Sequence, residues 1–335
     1  MLRIAQTVMT ARPPTLSFVR MGSPCRTRIV RLAMRFTLIT MVSCGLALSA
    51  AARDSRQPSL FELFFSVDVQ FQDVSQVAAA RIAFASLVRE ASPCASRDVA
   101  SADRARCVVD ALFTSNELAT VAEPGDPESS TVTSALVSHR GNCAALTALA
   151  LAVADSVKVP MEAVVFPRHV VVRAPGNPVE VFELLQRGTT LTMAQVRKRL
   201  GADGAHDTRV RSAAFPAFYL DNLAVRFAEA GDAGRAEAMF AKAIELGSRV
   251  GRIRFNYGTF LLGKDRLQPA KEQLRQAVQL DKRNAPAWAN LGVAIAKLGD
   301  ATEARRCFER ALRVDPGNRT ATENLRALGR KLPLP

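Results

Sequence analysis

Apolar and small residues in the last third of the chain recur with a fixed period. Ala236, Ala270 and Ala304 are 34 residues apart, and so are Ala243, Ala277 and Ala311. Phe240, Leu274 and Phe308 share a third register, and Leu223, Tyr257 and Leu291 a fourth. A fifth holds Leu220, Arg254 and Trp288, with Arg254 standing where the others are large and apolar. Gly231, Gly263 and Gly299 mark turns, the second offset by two positions. Spacing of this kind predicts antiparallel helix pairs. Small alanines let the helices approach, and Phe and Leu fill the space between neighbouring pairs. One pair cannot bury its own apolar face, so pairs stack. The units are placed at 217–250, 251–284 and 285–318. Residues 319–335 read as a solvating cap helix, over 319–331, and a tail.

The pattern in front of the repeats is mixed. Residues 58–90 and 99–113 carry helical apolar spacing, with Phe61, Phe64 and Phe65 on one face and Ile82, Leu87 and Val88 on another. Asp126-Pro127-Glu128 has the form of a helix start, and that helix is expected to run to about His139. Arg140-Gly141-Asn142-Cys143 then opens an apolar helix, Ala144 to Ala154. After Pro160 the chain becomes β-rich: Met161–Phe166, His169–Arg173 and Pro178–Glu183, with a turn over Ala174–Pro178. Folding the last two strands about Gly176 sets Arg173 opposite Val179, Val171 opposite Val181, and His169 opposite Glu183. Directly opposed residues share a face of the sheet. The expected organisation is an α+β domain over 54–205, a linker over 206–216, and an all-α repeat solenoid from 217 to 318.

This pattern brings three reactive groups into play. Cys143 falls in the first turn of a helix, where partial positive charge favours thiolate over thiol. His169 sits on a strand, and Glu183 lies beside it in the expected register. A thiol, an imidazole and a carboxylate are the parts of a nucleophile, its base and the group that orients the base. The backbone N–H of Cys143 would supply one oxyanion donor. The alternative is that Cys143 packs as a small hydrophobe. His139 is a rival base or a solvated helix end, and His206 lies in a loop. Arg197-Lys198-Arg199 reads as a solvated helix face. Three histidines in separate contexts, without spaced Cys/His pairs, give no reason to expect a metal, and no cofactor is expected.

Two resemblances follow. Trp288-Ala-Asn-Leu291-Gly292, Ala304, Phe308, Ala311 and Pro316 are similar to the tetratricopeptide repeat pattern. That resemblance implies a concave face lined by the first helix of each unit and a protein or peptide ligand upon it. Asn222, Asn256 and Asn290 share one register there, and their amides are candidates to grip an extended peptide. The region 126–188 resembles bacterial transglutaminase-like proteins that carry tetratricopeptide repeats behind a papain-like cysteine core. The match rests on Asp126-Pro-Glu128, Arg140-Gly-Asn-Cys143, Val159-Pro160, the block Phe166 to Arg173, and Glu183 followed by Gly188. It implies Cys143 as nucleophile, His169 as base and Glu183 as acid. Arg168 stands where the family usually has Gly, and Leu184 where it usually has a small hydroxylic residue. Some relatives lack the cysteine.

Charge and cysteines refine the picture. The chain carries +14, but no acidic residue precedes Asp54, and the eight arginines before it account for the excess over +6. Together with the absence of any nucleic-acid-binding motif, this argues against a nucleic-acid partner. Met34-Arg35, the apolar run Phe36–Leu48 and Ser49-Ala50-Ala51-Ala52 have the form of a secretory signal, so 1–53 is expected to be a targeting segment. The apolar run is short for a membrane span. Other readings are an organellar transit peptide, or a membrane anchor through this segment, including lipidation of Cys44. Cys94 and Cys107 would form a disulfide outside the cytoplasm, or stand as two thiols. The sequence thus points to an exported, periplasmic or secreted cysteine domain that acts on acyl or amide groups and is coupled to a protein-binding array. The competing reading is a catalytically silent adaptor.

Overall fold

The computed structural model describes residues 58–70, 72–96, 98–114, 118–120, 127–166, 169–176, 179–200 and 208–329. The expected targeting segment 1–53, and with it Cys44, lies outside the described residues, as do Asp126, Arg168 and His206. No helix of the described residues is long and apolar enough to cross a membrane.

The first stretch of helical spacing forms two helices rather than one: α1 (Leu60–Asp68) and α2 (Val74–Ala91). Asp73 separates them. Its carboxylate accepts the N–H groups of Ser75 and Gln76, both at 2.9 Å, and so starts α2. Next comes α3 (Ser101–Thr114), joined to the turn before it by a Cys94–Cys107 disulfide. The helix expected from Asp126 begins later. Glu128–Ser130 form a 3₁₀ turn, and α4 (Val132–Ser138) is capped by Thr131, whose hydroxyl accepts the N–H of Ser134 at 3.0 Å. Thr131 adopts the extended backbone of a cap, so the helix cannot run through it. His139 closes α4 in the left-handed conformation, φ 56°.

Short strands β1 (Ala119–Thr120) and β2 (Arg140–Gly141) pair in parallel. They lead into α5 (Cys143–Ser156), whose cap Asn142 accepts the N–H of Ala145 at 2.8 Å. Ala144 to Ala154 are all buried, so α5 is a central helix. Gly141 is required just before it, because a Cβ there would meet the Leu146 side chain at 2.9 Å.

A five-stranded antiparallel sheet packs on α5. It comprises β3 (Glu162–Val165), β4 (Val170–Arg173), β5 (Val181–Glu183), β6 (Thr189–Leu191) and β7 (Thr208–Arg211), in the order β6-β5-β4-β3-β7. Alternation divides its side chains between two clusters. Ala163, Val165, Val170, Val172, Phe182 and Val210 join the main core, which contains α5. Val164, Phe166, Val171 and Val181 pack with Val196 of α6 (Met193–Arg199).

Two expectations change here. Residues 208–211 are not linker: β7 pairs with β3 along its whole length and forms one edge of the sheet. The hairpin register is also shifted by two. Arg173 pairs with Val181 and Val172 with Phe182, so extending the ladder places Val171, not His169, opposite Glu183. The connection is longer than a turn about Gly176, since it is closed by the Ala174 N–H donating to the Glu180 carbonyl at 3.0 Å. A shift of two keeps the side-chain alternation, so His169 becomes a diagonal neighbour of Glu183.

The repeats form three helix pairs: α7 (Phe215–Glu229) with α8 (Ala233–Leu246), α9 (Gly251–Gly263) with α10 (Leu267–Leu280), and α11 (Ala285–Lys297) with α12 (Ala301–Val314). Helix α13 (Arg319–Gly329) follows as a cap. Ala236, Ala270 and Ala304 are fully buried, as close helix approach requires. Arg254, the departure from the pattern, bonds the Ser248 carbonyl at 3.1 Å and Gln273 at 3.0 Å instead of filling an apolar site.

The first pair shares its core with the α+β domain, and one cluster runs from Leu60 through Phe215 and Phe240 to Ile253. Tyr219 on α7 is the polar joint. Its hydroxyl donates to Asp68 at 2.8 Å and accepts the Val132 N–H at 2.9 Å. The other Asp68 oxygen accepts the Thr133 N–H at 2.8 Å. Burial raises the Asp68 carboxyl to about 6 despite these bonds. A raised carboxyl gives stability at low pH that is lost as the pH climbs through about 6. Tyr219→Phe strips a buried carboxylate and a buried N–H of one partner each. We expect a loss of about 1–3 kcal/mol in urea unfolding; a change below about 0.5 kcal/mol would show that the joint contributes little.

Candidate active site

The site forms where the start of α5 faces the start of β4 and the end of β5. Cys143 is the first residue of α5 and is partly exposed. Its backbone N–H lies in the first helical turn, where no intrahelical acceptor exists, so it suits an oxyanion. His169 stands immediately before β4, and its carbonyl accepts the Phe166 N–H at 2.8 Å. Glu183 is the last residue of β5.

Nε2 of His169 lies 2.7 Å from Oε2 of Glu183, with the two side chains only 11% and 5% exposed. The Cys143 side chain is near enough to the ring to raise its proton affinity. With Nε2 committed to the carboxylate, Nδ1 is the ring nitrogen left for another partner. Burial pulls the imidazole's proton affinity down. The Cys143 side chain and then the bond and charge of Glu183 overcome this and raise it to about 9.

Glu183 is itself held. Its second oxygen accepts the Leu185 N–H at 3.1 Å, and its carbonyl accepts the Gly188 N–H at 3.0 Å. Gly188 is a position only glycine fills: φ is 76°, and a Cβ would lie 2.2 Å from Val109. Leu184 is fully buried in the main core, so its position favours an apolar side chain. His139 lies at the exposed end of α4. Among the described residues, no group of His, Cys, Asp and Glu is arranged to hold a metal ion.

The three asparagines lie on α7, α9 and α11, but the amide nitrogens of two have partners within the array. Asn256 donates to both Asp221 oxygens, at 3.0 and 2.9 Å. Asn290 donates to Thr259 at 3.0 Å. In each case an amide ties one unit to the preceding one. Asn222 has a buried side-chain oxygen without a hydrogen bond. A groove of about 360 Å³ adjoins Asn256 and is lined by Val225, Phe240, Thr259, Phe260 and Lys264 among others.

Asp221 and Arg252 escaped the reading of the sequence, although a signal existed. Their equivalents one repeat period away are apolar: Phe255 and Ala289 for Asp221, Phe218 and Pro286 for Arg252. Charges at apolar registers mark a place where this array departs from plain repeat packing.

The fold and this constellation define a transglutaminase-like domain followed by a tetratricopeptide solenoid. Residues 78–224 match the model of the transglutaminase-like superfamily, and 285–318, the third helix pair, match that of the tetratricopeptide repeat. The curated relatives include a tetratricopeptide repeat-containing protein, trd-1, of Caenorhabditis elegans, 32% identical over 98 residues, or 29% of this chain and 13% of that protein. They also include the mouse protein O-mannosyl-transferase TMTC1, 33% identical over 101 residues, or 29% of this chain and 11% of that protein. The chain thus spans a small fraction of these relatives. Among solved structures, the tetratricopeptide domain of Arabidopsis OM64 aligns with a TM-score of 0.34 and 22% identity, covering 35% of this chain and 96% of that one.

A histidine whose folded-state value lies above its ordinary one stabilises the fold below about 6.5, and that contribution is lost as the pH rises through about 9. NMR titration should therefore find the His169 ring protonated at neutral pH with a midpoint near 9. Glu183→Gln should move that midpoint down toward the ordinary value. An unchanged midpoint would mean that the carboxylate does not hold the proton.

Proposed function

We propose that this protein is a cysteine-dependent amide hydrolase or acyl transferase whose repeats recruit the protein it acts on. The observation that carries the reading is the contact of His169 with both Cys143 and Glu183. With the thiol proton already on the His169 ring, the Cys143 thiolate would attack the carbonyl carbon of an amide. The carbonyl electrons move to oxygen, held by the Cys143 N–H. On collapse the C–N bond breaks, the imidazolium gives its proton to the departing amine, and a thioester remains on sulfur. Water or a second amine then attacks the thioester, gives its proton to His169, and releases the thiolate. Glu183 holds the imidazole in orientation and balances its charge throughout.

A partner polypeptide would lie along the first helices of the array, in reach of Asn222, Asn256 and Asn290. For Asn256 and Asn290, peptide capture means either using the amide oxygen or displacing the present partner of the nitrogen. Export to an oxidising compartment, periplasmic or extracellular, is in keeping with the basic N-terminal segment and with the Cys94–Cys107 disulfide. The second reading, a silent adaptor, is favoured by the amount of structure given to protein binding: three helix pairs and a cap.

A thiol-directed acyl probe separates the two. Cys143 should be labelled at neutral pH by the full chain. His169→Ala should slow labelling by about 10²-fold or more, the usual range for loss of a general base. Labelling that ignores His169, or none at all, would favour the adaptor.

A further inference from the structure

The turn that carries His169 is held from outside its own domain. Arg252, in the second helix pair, donates from Nη1 to the carbonyl of Phe166 at 2.7 Å. Phe166 is buried, and its N–H bonds the His169 carbonyl at 2.8 Å. The guanidinium is in turn held by Asp221 of the first pair, with Nε 3.4 Å from Oδ2 and the Asp221 side chain 1% exposed. Asn256 fixes that carboxylate by donating to both of its oxygens. Asn256 lines the groove between the first two pairs. A continuous chain of polar contacts therefore runs from the groove, through Asn256, Asp221, Arg252 and Phe166, to the backbone of His169.

We propose that Arg252 is a positioning residue for His169, and that Asp221 and Asn256 hold Arg252 in place, so that the repeat array sets the geometry of the reactive site. Two properties favour this over a generic interdomain contact. The bond is made to the backbone of Phe166, whose own N–H holds the His169 carbonyl at 2.8 Å. The carboxylate holding the arginine is buried, and burial raises it to about 6 even with Arg252 and Asn256 beside it, so loss of either partner leaves it costly to keep ionised. A ligand that draws Asn256 toward the groove would loosen Asp221, then Arg252, then the His169 turn. The coupling is reciprocal, so a change at the site must alter the groove's affinity by the same factor.

The inference rests on the reading of Cys143 and His169 as a working pair, but its test does not need turnover. In the full chain, the His169 ring would be titrated by NMR in wild type, Arg252→Gln, Arg252→Lys and Asp221→Asn. The three histidines permit assignment through His169→Ala. Arg252→Gln should lower the His169 midpoint by about one pH unit, tenfold in proton affinity, while the melting temperature stays within a few degrees, about the effect of 1 kcal/mol. Arg252→Lys, which keeps a donor and a charge, should recover part of that shift, and Asp221→Asn should resemble Arg252→Gln. A His169 titration that matches wild type in folded Arg252→Gln would overturn the proposal. So would a variant series in which the midpoint follows melting temperature rather than the chemistry at position 252. Should Arg252→Gln fail to fold, Arg252→Lys against Asp221→Asn decides it, since both keep side-chain volume and only the second frees the arginine. A Cys143 that never acylates would sink the functional reading and leave this result standing.

Discussion

An imidazolium inside a protein is costly unless a partner holds the charge, and Glu183 at 2.7 Å from His169 is that partner. Much of the surrounding structure serves this pair. The carboxylate is fixed by the Leu185 N–H and by a turn that only Gly188 allows. The ring is fixed by the Phe166–His169 turn and by the Cys143 side chain. With its charge satisfied, the ring can stay protonated without leaving its place. A carboxylate one turn further along the chain would leave a buried, unpaired ring, which favours the neutral form and a lower proton affinity.

The second constraint is architectural. The first helix pair is at once a repeat unit and a wall of the α+β domain, because Phe215, Tyr219 and Phe227 are buried in the same core as Phe64 and Leu149. The match to the transglutaminase-like family ends at residue 224, inside α7. Boundaries drawn by repeat register and by family therefore overlap in one helix. From Leu261 onward a separate core begins, built from repeat residues and the cap helix.

How much of this was readable in the chain follows from the physics of each part. The period of the repeats was legible, since stacking demands small residues at fixed intervals and Ala236, Ala270 and Ala304 obey it. The three reactive residues were legible as types on elements: a cysteine after an Asn cap, a histidine at a strand start, a glutamate at a strand end. Their pairing was not. The hairpin register depended on the length of the connection after Arg173, which local preferences do not fix, and only the even size of the slip kept His169 near Glu183. Strand β7 was hidden because its four residues, Thr208 to Arg211, are three-quarters polar or charged and pair along one edge only. Asp221 and Arg252 do not stand out in the shared repeat pattern, because each occurs in a single repeat while its equivalents are apolar.

Sulfur, imidazole and carboxylate acting together would leave a thioester on Cys143. Mass spectrometry of Cys143 after the full chain has been incubated with a mixture of unmodified peptides tests it most directly. Acyl adducts that hydroxylamine removes are expected on the Cys143 peptide and not on that of the buried Cys307. Intact Cys143 peptide at every time point, under conditions where the fold is retained, would contradict this.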